Sequence, residues 1–200
     1  MTANTIAANQ QMPHLVGHDS VWLFGYGSLI YKADFAYLER RPASIQGWTR
    51  RFWQGSHDHR GTPEAPGRVV TIIEEADAIC HGMAYLVTPE VFAHLDHREK
   101  NGYLRLAIAI TFEQDEQDKR DEQMKPVDGL VYIATEDNSA FLGAASELEI
   151  ARHIARCAGP SGPNSDYLNH LATALRELGR SDPHVFAIEQ HLATLSSPST

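Results

Sequence analysis

Trp22-Leu23-Phe24-Gly25-Tyr26-Gly27-Ser28-Leu29 is the stretch on which the reading of this chain turns. An apolar run rises out of a polar N-terminal segment and breaks into a Gly-x-Gly turn followed by a hydroxyl residue. The pattern predicts a buried first strand, about Val21–Gly25, ending in a ligand-binding loop. Glycine permits positive φ and close approach of a ligand to the backbone. Successive N–H groups in such a turn form a concavity suited to an anion. Familiar loops do not fit. A dinucleotide fingerprint needs a third glycine where Ile30 stands, and a P-loop needs a Gly-Lys-Ser/Thr ending. A hydrolase elbow built on Ser28 needs glycine where Leu29 stands. On spacing alone an ordinary strand-exit turn stays open beside the binding loop.

Downstream, Ile45–Ser56 reads as a strand carrying Trp48, Phe52 and Trp53, interrupted by Arg50 and Arg51. A turn-rich stretch, His57 to Gly67, follows. Arg68–Glu74 and Cys80–Val87 read as two buried strands, with Gly82 a bulge or close-approach site. Pro89 opens a short helix to about Asp96. The plainest alternation in the chain comes next. Leu104, Leu106, Ile108, Ile110 and Phe112 share one strand face, with Arg105, Ala107, Ala109 and Thr111 on the other. Glu113–Lys125 reads as a solvated hairpin loop, and Leu130–Ala134 as another strand.

The last third is helical. Ser146-Glu147-Leu148-Glu149 fits a capping box, and Gly159-Pro160 stops that helix. A second helix carries Leu168, Leu171, Leu175 and Leu178. A third starts at Ser181-Asp182-Pro183 and turns Val185, Ile188, Leu192 and Leu195 inward. Upstream, Asp34 is expected to cap a short helical turn over Phe35–Leu38. Strands first and helices later predict an α+β domain: a small, mixed, mostly antiparallel sheet or barrel with flanking helices. It spans about 21–195, between a mobile tail at 1–20 and a loose end at 196–200.

The chain has 200 residues and a formal net charge of −9, which argues against a nucleic-acid surface or an anionic membrane partner. Its two cysteines, Cys80 and Cys157, have no CxxC spacing, so free thiols in a reducing cytoplasm are expected. No signal peptide or membrane span is read. His57 and His59 could pair on a metal but have no third ligand at metal-site spacing; no metal and no cofactor are expected. Glu99 stands between an apolar helix and an apolar strand. Such a carboxylate is either a surface charge or, projecting into a cleft, a proton shuttle whose pKa burial raises.

Seven segments recur together, in order: Phe24-Gly25-Tyr26-Gly27-Ser28-Leu29-Ile30, Asp58-His59-Arg60-Gly61-Thr62-Pro63, Pro66-Gly67-Arg68-Val69-Val70-Thr71, Arg98-Glu99-Lys100-x-Gly102-Tyr103, Tyr132-Ile133-Ala134, Leu142-Gly143, and Ala158-Gly159-Pro160-Ser161-Gly162-Pro163-Asn164. Together they resemble the ChaC family, the glutathione-specific γ-glutamylcyclotransferases, over about Val21 to Leu192. The chain departs from that pattern at Tyr31, His57, His97, Asn101, Phe141 and Ala144; Phe141 replaces a tyrosine and so lacks its hydroxyl.

The resemblance implies a γ-glutamylcyclotransferase fold and conversion of glutathione to 5-oxoproline and Cys-Gly. It maps the substrate loop onto Leu23, Phe24, Gly25, Tyr26, Gly27, Ser28 and Leu29, and the catalytic carboxylate onto Glu99. Arg50, His59, Arg60 and Arg68 are weaker candidates for steering the anionic tripeptide, the alternative being structural ion pairs. Competing functions are a cyclotransferase for other γ-glutamyl compounds and a non-catalytic cation-transport regulator.

Overall fold

A computed structural model of the protein describes residues 4–113 and 125–196. Five strands close into a barrel in the order β1-β3-β2-β4-β5. They are β1 (Val21–Gly25), β2 (Glu39–Ser56), β3 (Gly67–Val87), β4 (Tyr103–Phe112) and β5 (Val127–Ala134). Every ladder is antiparallel except the closing one, where β1 runs parallel to β5 with Trp22 opposite Gly129 and Phe24 opposite Val131. The expected mixed, mostly antiparallel barrel with a helical last third is what forms.

The continuous apolar run of β1 follows from its place. It lies between two strands and is covered on both faces, the usual setting for an unbroken hydrophobic strand. Leu23 packs with Met83, Tyr85 and Leu130 and with Phe92 and Leu95 of α2 (Val91–Arg98). Its neighbour Phe24 joins Ile45, Phe52, Ile72 and Val131 in the larger cluster. That cluster is completed by α3 (Glu147–Ile154), α4 (Asn164–Glu177) and α5 (Pro183–Ser196) through Ile150, Leu171 and Ile188.

Several local expectations are changed by tertiary context. Arg68–Glu74 and Cys80–Val87 are one 21-residue strand, paired along an 18-residue β2. The polar stretch Glu74–Asp77 is exposed within the strand, and the register slips opposite it, between Gln46 and Trp48. Gly47 at φ 82° and Asp77 at φ 66° mark that irregularity. No helical turn forms after Asp34, which is instead drawn into an ion pair with Arg98. Arg105, on the strand face opposite Leu104, is 1 % exposed. Leu195 is exposed rather than inward. The segment expected as a mobile tail carries α1 (Ile6–Gln10), which docks against the barrel through a fully buried Asn9.

The capping box is present as read: Ser146 accepts from the Glu149 N–H, and the Glu149 carboxylate accepts from the Ser146 N–H. Asp182 caps α5 by accepting from the Val185 N–H at 3.1 Å. The expected hairpin loop lies, across 114–124, outside the described residues. Among the described residues no helix is long and apolar enough to cross a membrane.

Candidate active site

The loop leaving β1 is built by crowding. Neither Gly25 nor Gly27 has a positive φ; Gly27 sits at −118°. A Cβ on Gly25 would lie 2.5 Å from the Leu29 Cβ, and one on Gly27 would lie 2.9 Å from the Tyr167 hydroxyl. Close approach, not a left-handed backbone, is therefore what the glycines supply. Gly82 acts likewise, for its Cβ would fall 2.3 Å from the Gly25 carbonyl oxygen.

Arg50, 2 % exposed, holds the loop from the interior. Its Nε donates to the Tyr26 carbonyl at 2.6 Å, while its other nitrogens engage the His81 carbonyl and Asp182. The Tyr26 hydroxyl donates to the Tyr132 carbonyl at 2.7 Å. Ser28–Ile30 then forms one 3-10 turn with no side chain capping its start. The first N–H groups of such a turn have no acceptor within it.

Glu99 is the C-cap residue of α2, its N–H bonded to the Leu95 carbonyl at 2.8 Å. Its side chain is 18 % exposed. Burial raises its pKa above the ordinary carboxylate value; the Arg98 charge opposes that rise, and Asp34 and Asp58 add to it. Arg98 joins the loop to the carboxylate. Its Nε lies 3.2 Å from Glu99 Oε1, one terminal nitrogen donates to Ser28 Oγ at 2.9 Å, and the other pairs with Asp34. The phenols of Tyr26, Tyr103 and Tyr167 are all held protonated, chiefly by burial and further by the nearby Glu99 charge. Burial also pushes Tyr31 up to about 12.

Ser28, Glu99, Tyr103 and Tyr167 stand in the walls of two cavities. The smaller, about 50 Å³, is lined by Phe24, Gly25, Tyr26, Gly27, Ser28 and Leu29 on one side and by Glu99 on the other. The larger, about 220 Å³, opens past Tyr31, Lys32, Asp58, His59, Arg60, Arg98, Asn101 and Ser161. The loop and the carboxylate thus share one cleft, though they are about seventy residues apart in sequence.

Leu23 lines neither cavity, being wholly buried beside α2. Arg50 and Arg68 line neither. Arg68 is pinned by donation to the Phe52 and Gly143 carbonyls, both at 2.9 Å, so both arginines serve structure rather than steering. His59 and Arg60 do reach the larger cavity, His59 facing Ser161 Oγ at 3.1 Å. Among the described residues no three His, Cys, Asp or Glu side chains converge as a metal site. Phe141 packs edge-on to Trp53 and lines neither cavity. Sequence reasoning gave no role to Arg98, Tyr103 or Tyr167. Arg98 and Tyr103 do fall in the family-resembling segment Arg98-Glu99-Lys100-x-Gly102-Tyr103, whereas no local signal points to Tyr167.

The sequence profile of ChaC-like proteins matches residues 21–195. The chain belongs to the ChaC-like family. This ChaC-like protein is 44 % identical over 192 residues to glutathione-specific gamma-glutamylcyclotransferase 1 of Danio rerio, covering 92 % of this chain and 94 % of the relative. It is 40 % identical over 188 residues to gamma-glutamylcyclotransferase 2-3 of Arabidopsis thaliana, covering 90 % and 92 %. The crystal structure of a glutathione-specific γ-glutamyl cyclotransferase from yeast superposes with a TM-score of 0.80 at 32 % identity, covering 88 % of the ChaC-like chain and 97 % of the yeast one.

Proposed function

We propose that this protein is a glutathione-specific γ-glutamylcyclotransferase with Glu99 as its proton-transfer residue and the loop Phe24–Leu29 as its glutamyl-binding wall. The observation that carries the reading is a buried carboxylate with a raised pKa facing the β1 loop across one cavity. Relatives named for this reaction, matched along nearly their whole length, support the substrate. The domain responsible is taken as 21–195. The free Cys80 and Cys157 accord with a cytoplasmic setting, which belongs to the same proposal.

The substrate carries its own nucleophile. Its α-amino nitrogen attacks its own γ-carbonyl carbon, the new C–N bond closes a five-membered lactam, and the bond to the cysteinyl nitrogen breaks. Joining both partners in one molecule removes most of the entropic cost of attack once the glutamyl arm is held folded. Glu99 takes a proton from the α-ammonium and delivers it to the departing nitrogen of Cys-Gly. The free N–H groups at the start of the Ser28–Ile30 turn offer donors to the α-carboxylate or the developing oxyanion. Every atom of the substrate appears in 5-oxoproline or Cys-Gly, so neither metal nor cofactor is required by the balance.

The test is release of 5-oxoproline and Cys-Gly from glutathione by the purified protein. Turnover of γ-Glu-Ala without turnover of glutathione would overturn the specificity. No 5-oxoproline from either compound would overturn the activity.

A further inference from the structure

Residues Asn4–Gln10 precede the stretch matched by the family profile, yet they are bonded to the turn that carries Glu99. The Thr5 N–H donates to the Lys100 carbonyl at 2.9 Å, and its hydroxyl reaches the same oxygen at 3.1 Å and the Glu99 carbonyl at 3.4 Å. Asn4 pairs with Asn101 in an antiparallel bridge. These donors meet carbonyls at the C-terminal end of a helix, which have no partner within the helix itself.

Asn9, further along, is fully buried. Its side-chain oxygen accepts from the Arg105 N–H at 2.8 Å, its amide donates to the Tyr103 carbonyl at 3.1 Å, and its own carbonyl accepts from the Arg105 guanidinium at 2.7 Å. Arg105 in turn grips Asp96 on the helix that ends at Glu99. A five-residue helix is too short to hold itself together in water, so α1 is ordered by these contacts. Glu99 and Asn101 side chains both line the larger cavity. The segment therefore grips, by its backbone, the turn that presents them.

We propose that Asn4–Asn9 is a positioning strap for Glu99, fixing the turn from Glu99 to Tyr103 so that the carboxylate meets the substrate loop. The proposal rests on the cyclotransferase reading for its catalytic consequence but not for its structural one. Misplacement of a catalytic group by about 1 Å costs on the order of 10²-fold in rate, so binding should survive where turnover suffers.

Three substitutions in the full chain test it. Thr5→Pro removes both donors to the turn, Asn9→Ala removes the buried amide, and Thr5→Ser keeps the hydroxyl and the N–H. Hydrogen–deuterium exchange of the amides from Glu99 to Tyr103 is expected to quicken about tenfold or more in Thr5→Pro and Asn9→Ala and to stay at the parental rate in Thr5→Ser, as local opening predicts. With glutathione, kcat is expected to fall about 10- to 100-fold in the first two, KM staying within about threefold. Unchanged exchange in a folded Thr5→Pro protein overturns the strap. Faster exchange with parental kcat overturns its link to Glu99. A parent that releases no 5-oxoproline overturns the cyclotransferase reading and the catalytic link together, while the exchange measurement still decides the strap. Should Asn9→Ala not fold, Thr5→Pro at the outer end of the strap carries both readouts.

Discussion

Two carboxylates three residues apart on one helix meet opposite fates. Asp96 is tied into the fold: Arg105 Nη1 donates to its two oxygens at 3.0 and 3.1 Å, and the Tyr132 hydroxyl adds a bond at 2.5 Å. Its side chain is 5 % exposed. Glu99 has one cationic neighbour, Arg98, at 3.2 Å, and that cation is shared with Asp34 and Ser28. Asp96 is the more buried of the two, at 5 % against 18 % exposure, but both are largely removed from water, so burial separates them only in degree. What separates them is lone-pair capacity left over, together with a cavity to use it in. Asp96 has three acceptor positions engaged by the fold, whereas Glu99 faces a cavity with acceptor capacity that the proposed proton transfer would use.

The comparison breaks first at Glu99→Gln. The amide keeps the shape but takes no proton at neutral pH, so kcat with glutathione should fall about 10²-fold or more while folding persists. Steady-state kinetics beside a thermal melt checks this, and full activity would remove Glu99 from the mechanism. Asp96→Ala should do the reverse. It strands the buried Arg105 charge, at about 3–5 kcal/mol, which for a chain of this size is a fall of about 6–20 °C in Tm. Activity per folded molecule, measured well below the new Tm, should change far less than in Glu99→Gln.

Arg98→Gln sharpens the contrast. It should cost about tenfold in kcat by releasing the loop from the carboxylate. The Arg98 charge lowers the Glu99 pKa, so its removal should move the acid limb of the kcat/KM–pH profile, which reports the free enzyme, to higher pH. In the parent that limb should already lie above pH 4.5, because a base raised by burial is protonated there. An acid limb at or below the ordinary carboxylate range would contradict it.

The smallest effect is on stability. A carboxyl whose folded pKa lies above its unfolded one binds more protons when folded. Its ionisation therefore destabilises the fold at neutral pH, and this cost disappears as pH falls below the unfolded value. Glu99→Gln should melt at or slightly above the parent near pH 7, with the gap closing below about pH 4.5, the ordinary value. A gap that widens on acidification would show that the Arg98 contact outweighs desolvation.

Much of this was legible in the residues. The capping box at Ser146–Glu149, the strand Tyr103–Phe112 and the start of the last helix follow local rules, but the capping-box helix ends at Ile154, well before Gly159-Pro160, and Gly159 lies in a two-residue strand instead. The meeting of Glu99 with the β1 loop was legible only through resemblance, since no local rule joins residues seventy positions apart. Alternation places Arg105 on the strand face opposite Leu104 but does not say what covers that face. It is closed by α1 and by Asp96 of α2, which hold the arginine in a buried ion pair. The polar run Glu74–Asp77 breaks the apolar pattern, so Arg68–Glu74 and Cys80–Val87 read as two strands, although the run stays in one strand with its side chains exposed. Of the two properties that single out Gly25 and Gly27, positive φ is absent and close approach is present, though the crowding groups are Leu29 and Tyr167, which no local rule names.

The barrel closes by the parallel pairing of Trp22–Phe24 with Gly129–Val131. The first strand made is thus waiting for the last. During synthesis, β1 and its loop leave the ribosome with only part of their surroundings, and Tyr167 on α4, which packs on Gly27, comes later still. A chain that ends before Tyr167 lacks part of the wall of both cavities. The cleft is therefore complete only after the barrel and α4 have both been made.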